Sequence, residues 1–436
     1  MRIEGLFGGR LAPGVLLALG ALVAVPGRGA PALPDKPLTI QQAVRIGLAN
    51  HPDLATARAR VAEERAGVEA ASAEYRPRLY AEGILRQGRQ LGGADEGQFT
   101  DDSEARVKLE QELYDFGGRA ASSRAARAEA ARVDLFDTRQ KRVLAIRRQF
   151  YDLLLAERKV QVWNEAMAVA FVRWDYGKGK KELGEISPVE LARLESRFRR
   201  FRSNYREAQY DARMERIRLG HAMGLTDAIP RDVVKPDLDL DRDLPEVHQL
   251  RDRAWQTNPQ LIAARQRLEA ARSRADAQQA RHWPRITGEV VAQRYARQFD
   301  FRNDVEAAIR VTAPLYEGGR VSARVDEARA RAQEARGRWL KLRQTVEANI
   351  YRAHLDVETW KEKRQAAKAE LDYRKKKTDL ARTEYVLELE TDLGDSLTNQ
   401  TRAEMELARA RFGLAMAYDR LDALVGEPLA AKEEAP

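Results

Sequence analysis

The chain has 436 residues, 44% hydrophobic and 33% charged, with a mean hydropathy of −0.58; roughly 150 residues per domain would give about three domains, but so polar a chain fits an elongated molecule better than three compact cores. Lys plus Arg number 76 against 67 Asp plus Glu, a formal +9 that would ordinarily raise nucleic acid or an anionic membrane as a partner. The absence of cysteine excludes disulfides, thiolate metal sites, cysteine nucleophiles and a lipid-modified N-terminal cysteine, and the five histidines (His51, His221, His248, His282 and His354) form no HExxH or His-x-His pair, so neither a metal nor another cofactor is expected.

Residues 1–32 read as a secretory signal. Arg2 and Arg10 flank the n-region, Leu11 to Val25 is an apolar stretch of 15 residues, and Ala30-Pro31-Ala32 is a small-residue cleavage site. The stretch is shorter than the roughly 20 residues of a spanning helix, and no later run is apolar for that length, so an exported chain without a transmembrane helix is expected. Removing three Arg and one Glu leaves 9 − 2 = +7.

Beyond the signal the chain reads as a tandem repeat, the feature to seek before local structure. Asn50-His51-Pro52-Asp53-Leu54 matches Thr257-Asn258-Pro259-Gln260-Leu261, and Tyr75-Arg76-Pro77-Arg78 matches His282-Trp283-Pro284-Arg285, both at an offset of 207 residues. Leu113-Tyr114-Asp115-Phe116-Gly117-Gly118-Arg119 then matches Leu315-Tyr316-Glu317-Gly318-Gly319-Arg320, and Ala222-Met223-Gly224 matches Leu424-Val425-Gly426. The first repeat spans 33–225, a polar Asp- and Pro-rich linker 226–245, the second repeat 246–426 and a tail 427–436.

In chain order, 40–75 is rich in Ala, Arg, Glu and Leu and reads as one helix that stops at Pro77, as 246–282 does at Pro284. The period then becomes two. Ala105, Val107 and Leu109 alternate with charged residues, as do Val305, Ala307, Ile309 and Val311 with Glu306, Arg310 and Thr312. With partner strands near 78–87 and 285–296, each half carries one β-hairpin, within 78–114 and 285–315, of strands near the length of a tilted transmembrane strand.

The Gly-Gly-Arg elements release the chain into long helices, 120–176 and 321–385. In the second, Val321, Val325, Ala328, Ala332, Ala335, Trp339, Leu342 and Val346 form a heptad seam. Ile350, Ala353, Val357 and Trp360 continue it after an extra four-residue step. Breaks at 177–188 and 387–394 form tips, with returning helices to about 223 and 424. The fold class is mainly α with a membrane β-barrel portion: long antiparallel coiled-coil helices plus two hairpins per protomer.

Four strands cannot close a barrel, and a bilayer offers no water to satisfy open strand edges. Several protomers pooling their strands would close it. With the duplicated proline steps, the strand-opening prolines, both Gly-Gly-Arg exits and the glycine-terminated ends, nearly the whole chain after the signal resembles the TolC-like outer-membrane factors. The resemblance implies a homotrimer with a 12-stranded barrel in the outer membrane and a helical tunnel through the periplasm. It also implies docking to a periplasmic adaptor (membrane fusion) protein and an inner-membrane transporter, as the passive exit duct of a tripartite efflux pump or type I secretion system. Partners would then be further copies of the chain, those two proteins and outer-membrane lipid, with no nucleic acid. The other class of reading is a periplasmic coiled-coil structural or adaptor protein; duplicated strands with period-two faces favour the duct. An enzyme is not expected, since no nucleophile, base and orienter set is present. The cargo is not legible, because the pump a duct serves largely chooses it.

The same resemblance places the tunnel's closed end at the tips, with Gly184, Ile186 and Ser187 at the first and Leu389 and Thr391 at the second as adaptor-contact candidates. Glu388 stands where the family usually has a glycine. Asp392 and Asp395 are the nearest candidates for a carboxylate ring at the lumen constriction, which would attract cations and repel anions. Helix capping is the other reading of these aspartates, as an ordinary capped turn is of Gly184 and Ser187. Two basic clusters, Arg197-Phe198-Arg199-Arg200-Phe201-Arg202 and Arg374-Lys375-Lys376-Lys377, have the aromatic neighbours of a nucleic-acid surface, but export and helical context favour a solvated coiled-coil face. Trp283, Phe299 and Phe301 fit a membrane-interface belt or simple strand propensity.

Overall fold

The computed structural model describes residues 37–89, 99–101, 103–115, 120–226, 229–296, 304–386 and 393–429. The signal, Gly117-Gly118-Arg119, Phe299, Phe301 and the chain after 429 lie outside the described residues. The elements run α1 (Ile40–Asn50), α2 (Pro52–Ala73), β1 (Arg78–Ile84), β2 (Gln87–Arg89), β3 (Phe99–Asp101), β4 (Glu104–Tyr114), α3 (Ala120–Glu182) and α4 (Pro188–Ala222) in the first half. The second half repeats the order with α5 (Val247–Thr257), α6 (Pro259–Gln279), a 3-10 turn (Ala280–His282), β5 (Arg285–Tyr295), β6 (Val305–Thr312), α7 (Arg320–Val386) and α8 (Leu393–Leu424).

The single helix expected at the start of each half is two. Pro52 and Pro259 each occupy a first helical turn, where a missing N–H costs nothing, and the residue before each is extended and caps the second helix. Nδ1 of His51 accepts the Asp53 amide at 3.2 Å, and Oδ1 of Asn258 accepts the Leu261 amide at 3.1 Å. The glycine closing each half packs on this joint. Gly224, at φ +73°, would bring a Cβ within 2.7 Å of His51 Cα, and Gly426, at φ +77°, would bring one within 2.9 Å of the Thr257 carbonyl carbon.

Gly177 and Gly179 do not break α3, which continues to Glu182. A Cβ on Gly177 would lie 2.8 Å from Leu194 Cδ1 and 3.5 Å from Leu191 Cδ1, so this glycine permits the close approach of α4. At about 1.5 Å per residue, α3 and α7 each run on the order of 100 Å. Along the heptad seam Val321, Val325, Ala328, Val346, Ile350, Ala353 and Val357 are buried. Neighbouring helices pack in the order α2, α3, α6, α7, while α4 lies along α3 and α8 along both α7 and α3.

The apolar core sits where the short helices, the returning helices and the linker converge, around Phe150, Ile146, Leu153, Leu219, Met223, Ile350 and Leu414. Fully burying each such side chain is worth about 1.5–3 kcal/mol. Among its described residues the linker has no helix, yet it is fixed to this core. Leu38 and Val233 form a parallel bridge, with the Leu38 amide donating to Asp232 O at 2.8 Å, and Leu240 is buried.

The two hairpins merge into one antiparallel sheet of order β1-β4-β5-β6. The first strand ends at Ile84, short of the expected Gln87; from Gln87 the chain enters a separate ribbon in which β2 pairs with β3.

Candidate functional site

Register fixes what each face of the sheet presents. Leu79, Leu109, Val290 and Ala307 face one another across all four strands, as do Ala81, Val107, Ala292 and Val305 on the same side. This apolar face is uncovered, Leu79 being 70% and Ile309 73% exposed. The opposite face carries a charge ladder through all four strands. Arg78 Nη2 lies 3.3 Å from Glu110 Oε1, Lys108 Nζ 2.8 Å from Glu110 Oε2 and 3.1 Å from Glu289 Oε2, and Arg310 Nη2 2.6 Å from Glu289 Oε1. A water-soluble sheet would turn its apolar face to a core. Here polarity is inverted, as in a sheet with lipid on one side and a polar interior on the other. Among the described residues no strand pairs with the outer edges of β1 and β6, and no helix is long and apolar enough to cross a membrane.

The first tip is a Schellman turn. The Glu185 amide donates to Lys180 O at 2.8 Å and the Gly184 amide to Lys181 O at 3.0 Å, with Gly184 at φ +75°. Ser187 Oγ then accepts the Glu190 amide at 3.1 Å, and Pro188 opens α4. The Glu190 carboxyl, hydrogen-bonded by Arg193, is held below its ordinary pKa. Of the three candidates, Gly184 and Ser187 are exposed, whereas Ile186 is half-buried and turned toward Gly177. The outward apolar residues are Leu183, 76% exposed, and Val189, 79% exposed. Sequence reasoning passed over both, although each flanks the turn.

Behind the tip, aromatics fill the seam between α3 and α4. Trp174 stacks on Phe198 with ring centroids 5.2 Å apart, Phe171 lies 5.4 Å from Phe198, and Trp163 5.8 Å from Phe201. The aromatics within the basic cluster therefore pack onto α3, while Arg197 and Arg200 lie over the Phe201 ring. Interleaving of this kind is helix packing, and the expected coiled-coil face accounts for it.

At the second tip Leu389, Thr391, Asp392 and Glu388 lie outside the described residues. Asp395 stands in the first turn of α8, half-buried. Its Oδ2 lies 2.9 Å from Arg173 Nη1 and its Oδ1 3.4 Å from Arg197 Nη2. It thus ties the second helical hairpin to both helices of the first, and two guanidiniums more than neutralise its charge. Asp395 is therefore not a bare carboxylate, while Asp392 lies outside the described residues. Among the described residues no cluster of His, Asp and Glu is placed to hold a metal.

The sequence matches the outer membrane efflux protein family over residues 43–225 and 250–427, that is, over both repeats. The chain belongs to that family, whose members are channel proteins of the outer membrane, and its helical stalk is a periplasmic one. Similar solved structures share the fold at low identity. The Campylobacter jejuni CmeC outer membrane channel is 14% identical with a TM-score of 0.77, covering 90% of this chain and 88% of that one. A membrane protein from Pseudomonas aeruginosa is 19% identical with a TM-score of 0.75, covering 90% and 91%. The open state of the Neisseria gonorrhoeae MtrE outer membrane channel is 16% identical with a TM-score of 0.70, covering 89% of each chain. No curated protein matches this chain by sequence.

Proposed function

We propose that three copies of the chain close a 12-stranded barrel through β1 and β6, and that the helices continue it as a tunnel serving as the passive exit duct of a tripartite efflux pump or type I secretion system. The observation that carries this reading is the inverted sheet: an apolar face open on one side, a four-strand charge ladder on the other, and two edges that pair with no strand among the described residues. Edge-to-edge closure satisfies the free backbone groups that a bilayer would leave unpaired and places the ladder in a polar lumen. A periplasmic scaffold would leave Leu79, Val305, Ile309 and Val311 in water with no compensating contact.

In this reading the tips dock a periplasmic adaptor, which couples the duct to an inner-membrane transporter. Leu183 and Val189 join Gly184 and Ser187 in the docking surface, and Ile186 supports the turn from within. The decisive measurement is the mass of the detergent-extracted protein by light scattering corrected for bound detergent. A trimer that needs detergent to stay dispersed is the expected result; a protein fully soluble without detergent would overturn the duct.

A further inference from the structure

Where the sheet meets the helices lies a cavity of about 740 Å3. It is lined by seven arginines and three carboxylates, Glu74, Asp115 and Glu317, a balance of 7 − 3 = +4. Two of the arginines are paired: Arg285 Nε lies 3.2 Å from Glu112, and Arg320 Nη2 2.9 Å from Glu317. The other five, Arg124 and Arg127 on α3, Arg274 on α6, Arg281 on the 3-10 turn and Arg324 on α7, form no ion pair among the described residues. One of the carboxylates is itself engaged, since Tyr75 Oη donates to Asp115 Oδ2 at 2.7 Å. Arg127 is held below its ordinary pKa, first by burial and then by the like charge of Arg124, with Glu64 pulling the other way and Arg274 adding a smaller push. The lining is therefore net positive.

Register shows which side of the wall this is. Arg285 stands on the face of Thr287 and Glu289, and Thr312 on the face of Ala308 and Arg310, which is the charged face. The charged face is the lumen side of the duct. Contributions from successive helices around the wall, at one height, make the cavity a segment of a ring repeated by each copy.

We infer that the duct carries, directly beneath its barrel, a ring of unpaired guanidiniums that favours anionic solutes, so that its cargo passes as, or alongside, carboxylate- or phosphate-bearing anions. The inference rests on the conduit reading for its placement in a lumen. Rings of charged side chains select ions of opposite sign, and arginine suits anions because its fork binds oxyanions.

The test uses the full mature protein in planar bilayers under a potassium chloride gradient. Chloride should permeate better than potassium at low salt. The preference should fade toward unity at 1 M, where the Debye length shrinks to about 3 Å from about 10 Å at 0.1 M. Replacing Arg124, Arg274 and Arg281 together by Glu should turn the preference to potassium, while replacing the same three by Lys should leave it unchanged. Wild-type channels that prefer potassium, or a glutamate variant with wild-type selectivity, would overturn the ring. If the wild type forms no channels at all, the conduit reading is what fails. Calorimetric binding of tripolyphosphate to the detergent-purified protein then decides the anion site: loss in the glutamate variant sustains it, and absent or equal binding ends it.

Discussion

Val290 and Val291 are neighbours on β5 with opposite surroundings. Val290 sits five residues from each end of the strand, opposite Leu109 and Ala307 on the apolar face; Val291 lies opposite Lys108 and Glu306 on the charged face. A lysine on the lipid side of a barrel costs about 2–4 kcal/mol per copy at the bilayer midplane. Three copies at one height would therefore destabilise a closed trimer by about 6–12 kcal/mol for Val290→Lys. For Val291→Lys the new charge meets a hydrated interior with Glu306 across one strand and Lys108 across the other. Cross-strand pairs are worth about 0.2–1 kcal/mol of either sign, so the net change should stay below about 1 kcal/mol per copy. The assay is the heat-dependent conversion of trimer to monomer on gels of outer-membrane extracts, with total protein read by immunoblot. Val290→Lys should deplete the trimer and Val291→Lys should leave it near wild type. Equal effects, or a worse outcome for Val291→Lys, would refute the assignment of faces. A water-exposed scaffold predicts no penalty for Val290→Lys, because Val290 would then lie in solvent, where a lysine is harmless.

Other consequences concern the joints. Gly224→Ala combines a left-handed backbone, which costs an ordinary residue about 1–2 kcal/mol, with a Cβ only 2.7 Å from His51 Cα; its loss of Tm should exceed that of Gly318→Ala, where φ is +61° but the space is open. Asp419→Ala removes the carboxylate that lies 2.6 Å from Arg147 in a buried pair and should cost about 3 kcal/mol in denaturant unfolding; replacing both residues by apolar ones should recover most of that, and no recovery would show that the pair is not the cause. His51 is held below its ordinary pKa of 6.5 mainly by burial and then by Arg142, against Asp53. Because the unfolded chain protonates first, stability from this site is complete above pH 6.5 and declines as pH falls through the folded value. His51→Asn, which keeps a capping side chain like that of Asn258, should flatten the decline of Tm in this range, and an unchanged slope would remove His51 from the account.

What the sequence disclosed was whatever is periodic or duplicated. Alternating residues on β4 and β6, the seam from Val321 onward and the matched proline steps all rest on spacing within one segment, which sequence alone preserves. The break at His51 escaped because a run rich in Ala and Arg outweighs one proline when propensity is summed along a window, although Pro52 marks a first helical turn. Gly177 misled for a related reason: a helical glycine permits close approach as readily as it ends a helix, and only the position of Leu194 decides which. Asp395 was visible as a candidate, but its arginines lie 222 and 198 residues away on α3 and α4.

The placement of charge obeys the same rule at a larger scale. An excess of +9 over the whole chain says little while the charges are read in a line, since many of them pair with near neighbours; the ladder on the sheet is an example, and so are the pairs four residues apart along α7. Arg124, Arg127, Arg274, Arg281 and Arg324 escape this cancellation, since none of them forms an ion pair among the described residues. Folding both repeats into one wall brings them to a single height. A repeat duplicates positions without having to duplicate their charges, so the two halves can differ in sign where they meet. The basic character of this protein therefore becomes a property of a site only once α3, α6 and α7 stand side by side.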